Sequence, residues 1–568
     1  MKPLYDAVLR YSKSKITPFH MPGHKQGKGF VPQDLFMNPA IFDLTELWDT
    51  DDLHYPKGPI GEAQVLAAKA FGAKRTWFLV NGSTCGIQAM ILAHGQPGQK
   101  MIVVRDFHYA AFHAMAMTGI RPVYVYPKRD PVSGRFLPVS AAAVNEAIVQ
   151  NPDAAAVYIT RPGYYGDVCD IERIVVAAHK NKMPVLVDEA HGAHLSFSEK
   201  LPISAMAAGA DFCIQSAHKT LPAFTQGAYA HMSEAVQGEP ERIERFETAL
   251  RIVQTASPSF LLMSSLDYAR EFMSERGKEE LERVLVQIDV LYRNAAEYGY
   301  GVPADIPASR TVIPASRSMV YIKTNADKIE INRASIDIAS QETSAHSKIT
   351  AEADRQQYGR DMTRIVLDTA QIGLTGIEME QKLAQKYNIR IEMSDLNHIV
   401  LIATIADRNE DFLALDSALY KIAQEQRSCC LIAEQSKKNN AHTFRDVNVV
   451  GDERIFDGVR NIQHVQTDRD DLDTEDVAAP FEKIDLDIVI HHRRVSCRLR
   501  DAIGCQAGTM ITPYPPGIPL LCPGERITAK TVHLMEQFLL AGAKVNGIET
   551  TDPQMITVLD ECAGKSKF

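Results

Sequence analysis

The stretch Gln215-Ser216-Ala217-His218-Lys219-Thr220-Leu221 decides how this chain is read. It closes a short apolar run, Asp211-Phe-Cys-Ile-Gln-Ser216, with a hydroxyl and then an amine. Upstream, Pro184-Val-Leu-Val-Asp188-Glu-Ala-His191 is another apolar run, and it ends in an acid. Bounded apolar runs of this length, separated by helical patterns, predict buried parallel strands. In such sheets the reactive groups collect beyond the carboxyl ends of the strands. Neighbouring strand ends would then present the Lys219 amine and the Asp188 carboxylate to one crevice. Taken alone, Ser-x-His-Lys fits a surface loop equally well, and only its neighbours lift it above that.

Trp77-Phe-Leu-Val80 is a further strand, followed at once by Asn81-Gly82-Ser83-Thr84-Cys85-Gly86 and the apolar run Ile87-Gln-Ala-Met-Ile-Leu92. Strand, Gly-Ser-Thr turn and helix make a cup for phosphate. The first-turn amides lack intrahelical partners, the hydroxyls add donors, and the helix dipole favours an anion. Gly82 and Gly86 allow close backbone approach, although Ser and Thr also serve as ordinary N-caps. An amine that condenses with an aldehyde and an acid that keeps a ring nitrogen protonated are what pyridoxal 5′-phosphate requires. Met101-Ile-Val-Val104 ends at Arg105-Asp-Phe-His108, where an imidazole can stack on a flat ring or be merely structural.

The strand series continues through 122–126 and 154–160, with a turn at Arg161-Pro-Gly-Tyr-Tyr165-Gly166 and a helix over 171–180. Strands alternating with helices from 77 to 232 predict an α/β domain with a mostly parallel sheet. Residues 1–45 read as an arm, because Pro and Gly punctuate Thr17-Pro-Phe-His-Met-Pro-Gly-His24-Lys-Gln-Gly-Lys-Gly29. His20 and His24 are not on one helical face, and His191 and His194 lack companion ligands, so no metal site is expected. Residues 46–300 form the large domain, and Ser257-Pro258-Ser259 interrupts its long helical patterns as a helix cap. Gly301, Pro303, Pro307 and Pro314 mark a boundary. Residues 301–431 then read as a smaller α+β domain, with strands at 319–323, 363–367 and 398–402 and a helix over 375–386. Residues 432–485, with Thr467-Asp-Arg-Asp-Asp-Leu-Asp-Thr-Glu-Asp476, read as a polar, mobile insertion. Residues 486–568 form a C-terminal domain.

A length of 568 residues exceeds one compact core. The balance of 61 basic against 71 acidic residues, net −10, disfavours nucleic-acid binding. Nine dispersed cysteines, with no export signal, point to reduced thiols and a cytoplasmic protein. No stretch approaches the roughly 20 apolar residues of a membrane span.

These motifs together resemble the Orn/Lys/Arg decarboxylase family of fold type I pyridoxal-phosphate enzymes. They are His20-Met-Pro-Gly-His24-Lys25, Asp51-Asp-Leu-His-Tyr-Pro-Lys-Gly-Pro59, Asn81-Gly-Ser-Thr84, Asp188-Glu-Ala-His191-Gly, Ser216-Ala-His-Lys219-Thr and Tyr514-Pro-Pro-Gly-Ile-Pro519. The resemblance covers nearly all the chain outside 432–485. It implies that Lys219 links covalently to the cofactor and that Asp188 pairs with its ring nitrogen. By the same resemblance His108 stacks on the ring, Gly82, Ser83, Thr84 and Ser216 hold the phosphate, His191 borders the cofactor, and His218 flanks the lysine. A basic amino acid substrate implies an acid for its distal cation, with Glu525, Asp51 and Asp52 as candidates. Asp106 and Tyr109 depart from the Asn and Lys that the family often shows on either side of its stacking histidine.

The reaction implied is decarboxylation of a basic L-amino acid in polyamine synthesis, with Lys219 or His218 returning a proton to the α-carbon. Arginine, giving agmatine, is favoured over lysine or ornithine, because short members starting at this arm resemble arginine decarboxylases. The chain starts at the arm motif, which implies a homodimer or a small assembly of dimers rather than the rings of the large inducible members. An aminotransferase or lyase would keep Lys219 and Asp188 but clamp the α-carboxylate with arginine, for which Arg364, Arg390 and Arg498 are available. A silent regulatory homologue is the third reading, and it predicts no change on Lys219→Ala.

Overall fold

The structure, a computed structural model, describes residues 2–28, 38–128, 137–236, 239–303, 359–440, 478–479, 489–514, 519–540, 542, 544–549 and 554–560. The large domain is built on a seven-stranded sheet. In chain order its strands are β1 (Arg75–Leu79), β2 (Lys100–Val104), β3 (Arg121–Val125), β4 (Val157–Thr160), β5 (Val185–Asp188), β6 (Phe212–Gln215) and β7 (Ala228–Met232). Their order across the sheet is β1-β7-β6-β5-β4-β2-β3, and only β7 runs against its neighbours. The mostly parallel sheet expected from the alternating runs is therefore present.

Both faces of the sheet are covered, which is why its strands read as continuous apolar runs rather than alternating ones. Successive residues point to opposite faces. Met101, Val103, Tyr158, Leu186, Phe212 and Ile214 join one core with α1 (Gly82–His94) and α2 (Tyr109–Thr118). Ile102, Val104, Val157, Ile159, Val185, Val187 and Cys213 join another with the helices Ala141–Gln150 and Ile171–Lys180.

Helix α3 (Phe260–Tyr298) is the spine between domains. Ser259 caps it by accepting from the Leu262 amide, as the serine-rich turn suggested, and Gly299 ends it at φ +96°. Its first half contributes Leu266 and Met273 to a large-domain core. Its second half contributes Val284, Ile288, Leu291 and Tyr292 to the core of the second domain. That domain has an antiparallel sheet of β8 (Arg364–Asp368), β9 (Met393–Ser394) and β10 (His398–Ile402), in the order β8-β10-β9. Helix α4 (Gly376–Lys386) packs beside it, started by a capping box between Thr375 and Glu378. Helix α5 (Asn409–Asn440) runs through residue 432, where the sequence reading began an insertion. The strand expected at 319–323, the acidic run 467–476 and residues 515–518 lie outside the described residues. A separate core, with Ala507, Ile511, Leu521, Val532 and Val558, belongs to the C-terminal part. Among the described residues no helix is long and apolar enough to cross a membrane.

The arm is tied down at several points. Thr17–Phe19 pairs in parallel with Ile389–Ile391 of the second domain. Lys25, 1% exposed, donates to the His20 and Ile402 carbonyls at 3.0 and 2.8 Å and lies 3.7 Å from the buried Asp407 carboxylate. Between these anchors Gly23 donates to the His218 carbonyl at 2.7 Å, while its own carbonyl accepts from Thr404 Oγ1 at 2.8 Å. The arm is thus wedged between the Lys219 turn and the second domain. A Cβ on Gly23 would meet the Leu221 carbonyl oxygen at 2.6 Å and the Thr220 carbonyl carbon at 2.8 Å. Backbone cannot yield there, so Gly23→Ala is expected to cost about 1–3 kcal/mol of stability. Urea titration measures the loss, and faster amide exchange over 216–221 would localise it.

Candidate active site

Sheet register does the first part of the assembly. Thr160, Asp188 and Ile214 are side by side at the ends of β4, β5 and β6. Lys219 follows one turn later, in the short helix Ala217–Thr220. Its recessed amine lies 3.0 Å from His191 Nε2, in the loop that leaves β5. On its other ring nitrogen His191 meets Arg364 of β8, Nη2 to Nδ1, at 2.8 Å. The Tyr164 ring lies against the His191 ring at a centroid distance of 4.7 Å.

Asp188 is 2% exposed. It accepts from Tyr158 Oη at 3.3 Å and from the Ala190 amide at 3.0 Å. Burial raises its pKa, and the nearby Lys219 charge works against that. Burial also holds the Lys219 amine down to about 8, with Asp188 opposing. The expected amine and acid therefore share one electrostatic environment. Asp106, recessed at the end of β2, is pushed up to about 7 by burial, and the Asp188 charge adds to the shift.

The cup after β1 is also assembled. Ser216 Oγ donates to Ser83 Oγ at 2.8 Å, joining the turns after β1 and β6. Gly82 starts α1 at φ +74°, where a side chain would be strained. Asn81, in the N-cap position, makes no capping bond. Its side-chain oxygen accepts instead from the Thr255 amide at 3.1 Å. The first-turn amides of Gly82, Ser83 and Thr84 have no intrahelical partner, and the positive end of the helix dipole lies at them.

Several histidines face the amine, and burial keeps them neutral. His108 is the N-cap of α2, where its Nδ1 accepts from the Ala110 amide at 3.2 Å. Burial lowers its pKa to about 3, with the Lys219 charge contributing. His218 bonds the Gly227 carbonyl through Nδ1 at 3.0 Å, and burial lowers it to about 4. A carbonyl only accepts, so the His218 proton is on Nδ1 and Nε2 is bare. His218, expected as one of two groups returning a proton to the α-carbon, thus holds its proton toward Gly227 and turns its bare nitrogen the other way.

The expected acids for a distal cation are otherwise engaged. Glu525 is 1% exposed and binds Arg105 at the end of β2, Nη2 to Oε2 at 2.9 Å and to Oε1 at 3.2 Å. Its Oε2 also accepts from the Cys522 amide at 2.7 Å. The carboxylate, one of the three candidates for a substrate's distal cation, thus ties the C-terminal part to the sheet. Asp51 accepts from the amides of Asp52, Lys57, Gly58, Ile60 and Gly61, and Asp52 from those of His54 and Tyr55. These two organise the 51–61 loop. Of the three arginines named for a carboxylate clamp, Arg364 reaches the Lys219 site. Arg390 donates to the Ala384 carbonyl, and Arg498 is exposed on the C-terminal part. Glu392 was missed: its Oε2 accepts from the Met21 amide at 3.0 Å, and its charge acts on both Lys219 and Arg364. No local pattern announces it, since its setting exists only once the arm and the second domain meet.

A doubly covered, mostly parallel sheet, with its reactive residues beyond the strand ends, followed by a smaller antiparallel domain, is the architecture of fold type I pyridoxal-phosphate enzymes. The lysine decarboxylase LdcF of Francisella novicida superposes with a TM-score of 0.65 at 18% identity, over 99% of this chain and 81% of that one. Residues 2–411 match the Orn/Lys/Arg decarboxylase major domain, and residues 483–549 match the C-terminal domain of the same family. A protein of Bacillus subtilis named arginine decarboxylase is 30% identical over 564 residues, 98% of each chain. One of the same name from Bacillus anthracis is 29% identical over 98% of this chain and 97% of its own. The chain belongs to the Orn/Lys/Arg decarboxylase family and is a decarboxylase.

If Glu525 is a tie, Glu525→Gln leaves Arg105 buried beside a neutral amide and is expected to cost about 3–5 kcal/mol. The double change Arg105→Met with Glu525→Leu should recover most of that loss, and denaturant midpoints decide. A raised KM without lost stability would return Glu525 to the substrate.

Proposed function

We propose that the chain decarboxylates a basic L-amino acid, arginine before lysine or ornithine, with pyridoxal 5′-phosphate held at Lys219. The observation that carries this reading is the recessed amine of Lys219 beside the buried carboxylate of Asp188, next to an uncapped helix start. The donor set fits the cofactor. A lysine of lowered pKa is the nucleophile an aldehyde needs, and the amides of 82–84 with Ser83, Thr84 and Ser216 suit a phosphate. Asp188 would hold a ring N–H⁺, and the neutral His108 ring would cover one face. When bound, the cofactor supplies a sink for the electron pair that departing CO2 leaves behind.

The chain's own residues do the rest. With the cofactor bound, Lys219 would hold its aldehyde, and the Lys219 amine would be the group to return a proton to the α-carbon. Burial of Asp188 excludes water from the charge that must persist through the reaction. Preference for arginine is supported by the full-length relatives named arginine decarboxylase. A role in polyamine formation follows from the product, a decarboxylated basic amino acid. A homodimer is supported by a run of exposed apolar residues along the arm and the loop after it. These include Leu4 at 77%, Ile41 at 57% and Trp48 at 96% exposure. Faces of this kind mark subunit contacts.

A second reading keeps one specific support. Arg364 Nε and Nη1 are buried without hydrogen-bond partners among the described residues, as a clamp for an α-carboxylate would be. An aminotransferase uses such a clamp. Incubation with arginine, lysine and ornithine separates the readings: CO2 and the matching amine are expected, and keto acid without CO2 would favour the rival. Lys219→Ala should abolish the visible absorbance of the loaded protein and lower turnover by at least about a thousandfold. No turnover and no visible absorbance in the wild type, with no change on Lys219→Ala, would return the chain to the silent or regulatory class.

A further inference from the structure

Arg364 stands on β8 of the second domain and reaches across to a histidine of the large domain. Its Nη2 is 2.8 Å from His191 Nδ1 and 3.4 Å from the His191 carbonyl oxygen. His191 Nε2 is 3.0 Å from Lys219 Nζ. The neighbours keep this line of groups in place. Gly166 sits at φ +86°, and a Cβ there would meet Arg364 Cβ at 2.7 Å, so the turn is shaped around the arginine. Tyr164, in the same turn, holds the His191 ring at 4.7 Å.

The direction of each hydrogen bond follows from what each group can do. A guanidinium nitrogen only donates and stays charged. His191 Nδ1 is therefore the acceptor, and the neutral ring carries its proton on Nε2. That N–H can only donate, so Lys219 Nζ must accept, which requires an unprotonated amine. An ammonium would oppose Nε2–H with its own N–H.

We propose that Arg364 is a positioning residue that acts through His191: by fixing the imidazole tautomer it selects the neutral, nucleophilic form of Lys219. This rests on the reading of Lys219 as the amine that captures the cofactor's aldehyde. It also makes that amine depend on the second domain, because β8 delivers Arg364 only when the two domains are docked. The other groups facing the amine are Asp188 and Glu392, whose charges favour its protonated form, and the neutral His108 and His218. Burial opposes Asp188 and Glu392, so the tautomer lock works in the same direction as burial. The sign follows. As pH rises past about 8 the amine becomes neutral and the line of hydrogen bonds forms, and as pH falls it protonates and the line breaks.

The test titrates Lys219 without turnover. Full-length protein is freed of aldehyde with hydroxylamine, checked for a cooperative thermal melt, and trace-labelled with acetic anhydride from about pH 6 to pH 11, which brackets the shifted and ordinary lysine values. Mass spectrometry of the Lys219 peptide reads the midpoint. Arg364→Met, which removes the donor, should raise it by about one unit, a roughly tenfold loss of neutral amine at neutral pH. Arg364→Lys, which keeps a cationic donor, should stay near the wild-type midpoint. In a His191→Asn background the shift caused by Arg364→Met should fall to less than half. An unchanged midpoint in Arg364→Met overturns the proposal. Equal shifts in both backgrounds overturn it too, because the arginine would then act by charge through space alone. If Arg364→Met does not fold, His191→Asn decides by itself: a raised midpoint supports the proposal and an unchanged one ends it. Aldehyde capture is followed separately, as visible absorbance on adding pyridoxal 5′-phosphate. Its failure in the wild type would sink the reading of Lys219 while leaving the titration intact.

Discussion

Withdrawing an amine and a carboxylate from water within a few residues of two strand ends is the constraint on which this structure depends. Each group alone would be costly in such a place. Together they are tolerable, because burial draws both toward their neutral forms while each charge, where present, favours the other's. The sheet supplies the proximity. Parallel neighbours β5 and β6 end on the same side, and register places Asp188 beside Ile214, only a turn before Lys219. An antiparallel arrangement of the same two strands would have put the groups at opposite edges.

The histidines around the amine are shaped by the same loss of water. His108, His191 and His218 are each pushed toward neutrality by burial. A neutral imidazole is a donor on one side and an acceptor on the other, so each ring has a definite orientation set by its second partner. For His108 that partner is a helix amide, for His218 a carbonyl, and for His191 a guanidinium. The site is therefore a set of oriented dipoles around one titrating amine, with little mobile charge of its own. Such preorganised dipoles are the environment in which developing charge is stabilised at small reorganisation cost.

Segments distant in sequence close this environment. The arm inserts Gly23 against the Lys219 turn and buries Lys25 with Asp407. Glu525 holds Arg105 at the end of β2 from residues far along the chain. Both ties are ionic and buried, so removing one partner of either would leave an uncompensated buried charge beside the strand ends and turns around Lys219.

Much of the large domain was legible in the residues themselves. Apolar runs such as 184–188 and 211–215 have the period and length of buried strands, and Gly82 followed by Ser83 and Thr84 has the composition of an anion cup; both signals are local. The family motifs lie on the same local segments, so the resemblance attached its expectations to Lys219, Asp188, Ser83 and Ser216, which folding brings near one another. What only the tertiary structure decided is the identity of the partners. Glu525 in sequence is a free acid after Pro523 and Gly524, and only the docked C-terminal part shows it bound to Arg105. Arg364 in sequence is one of several arginines, and only the meeting of β8 with the loop after β5 puts its nitrogen on His191. Glu392 has no signal at all. The physical reason is common to all three. Backbone pattern is set by neighbours along the chain, whereas a side chain's charge is answered by whatever group folding brings within hydrogen-bonding distance.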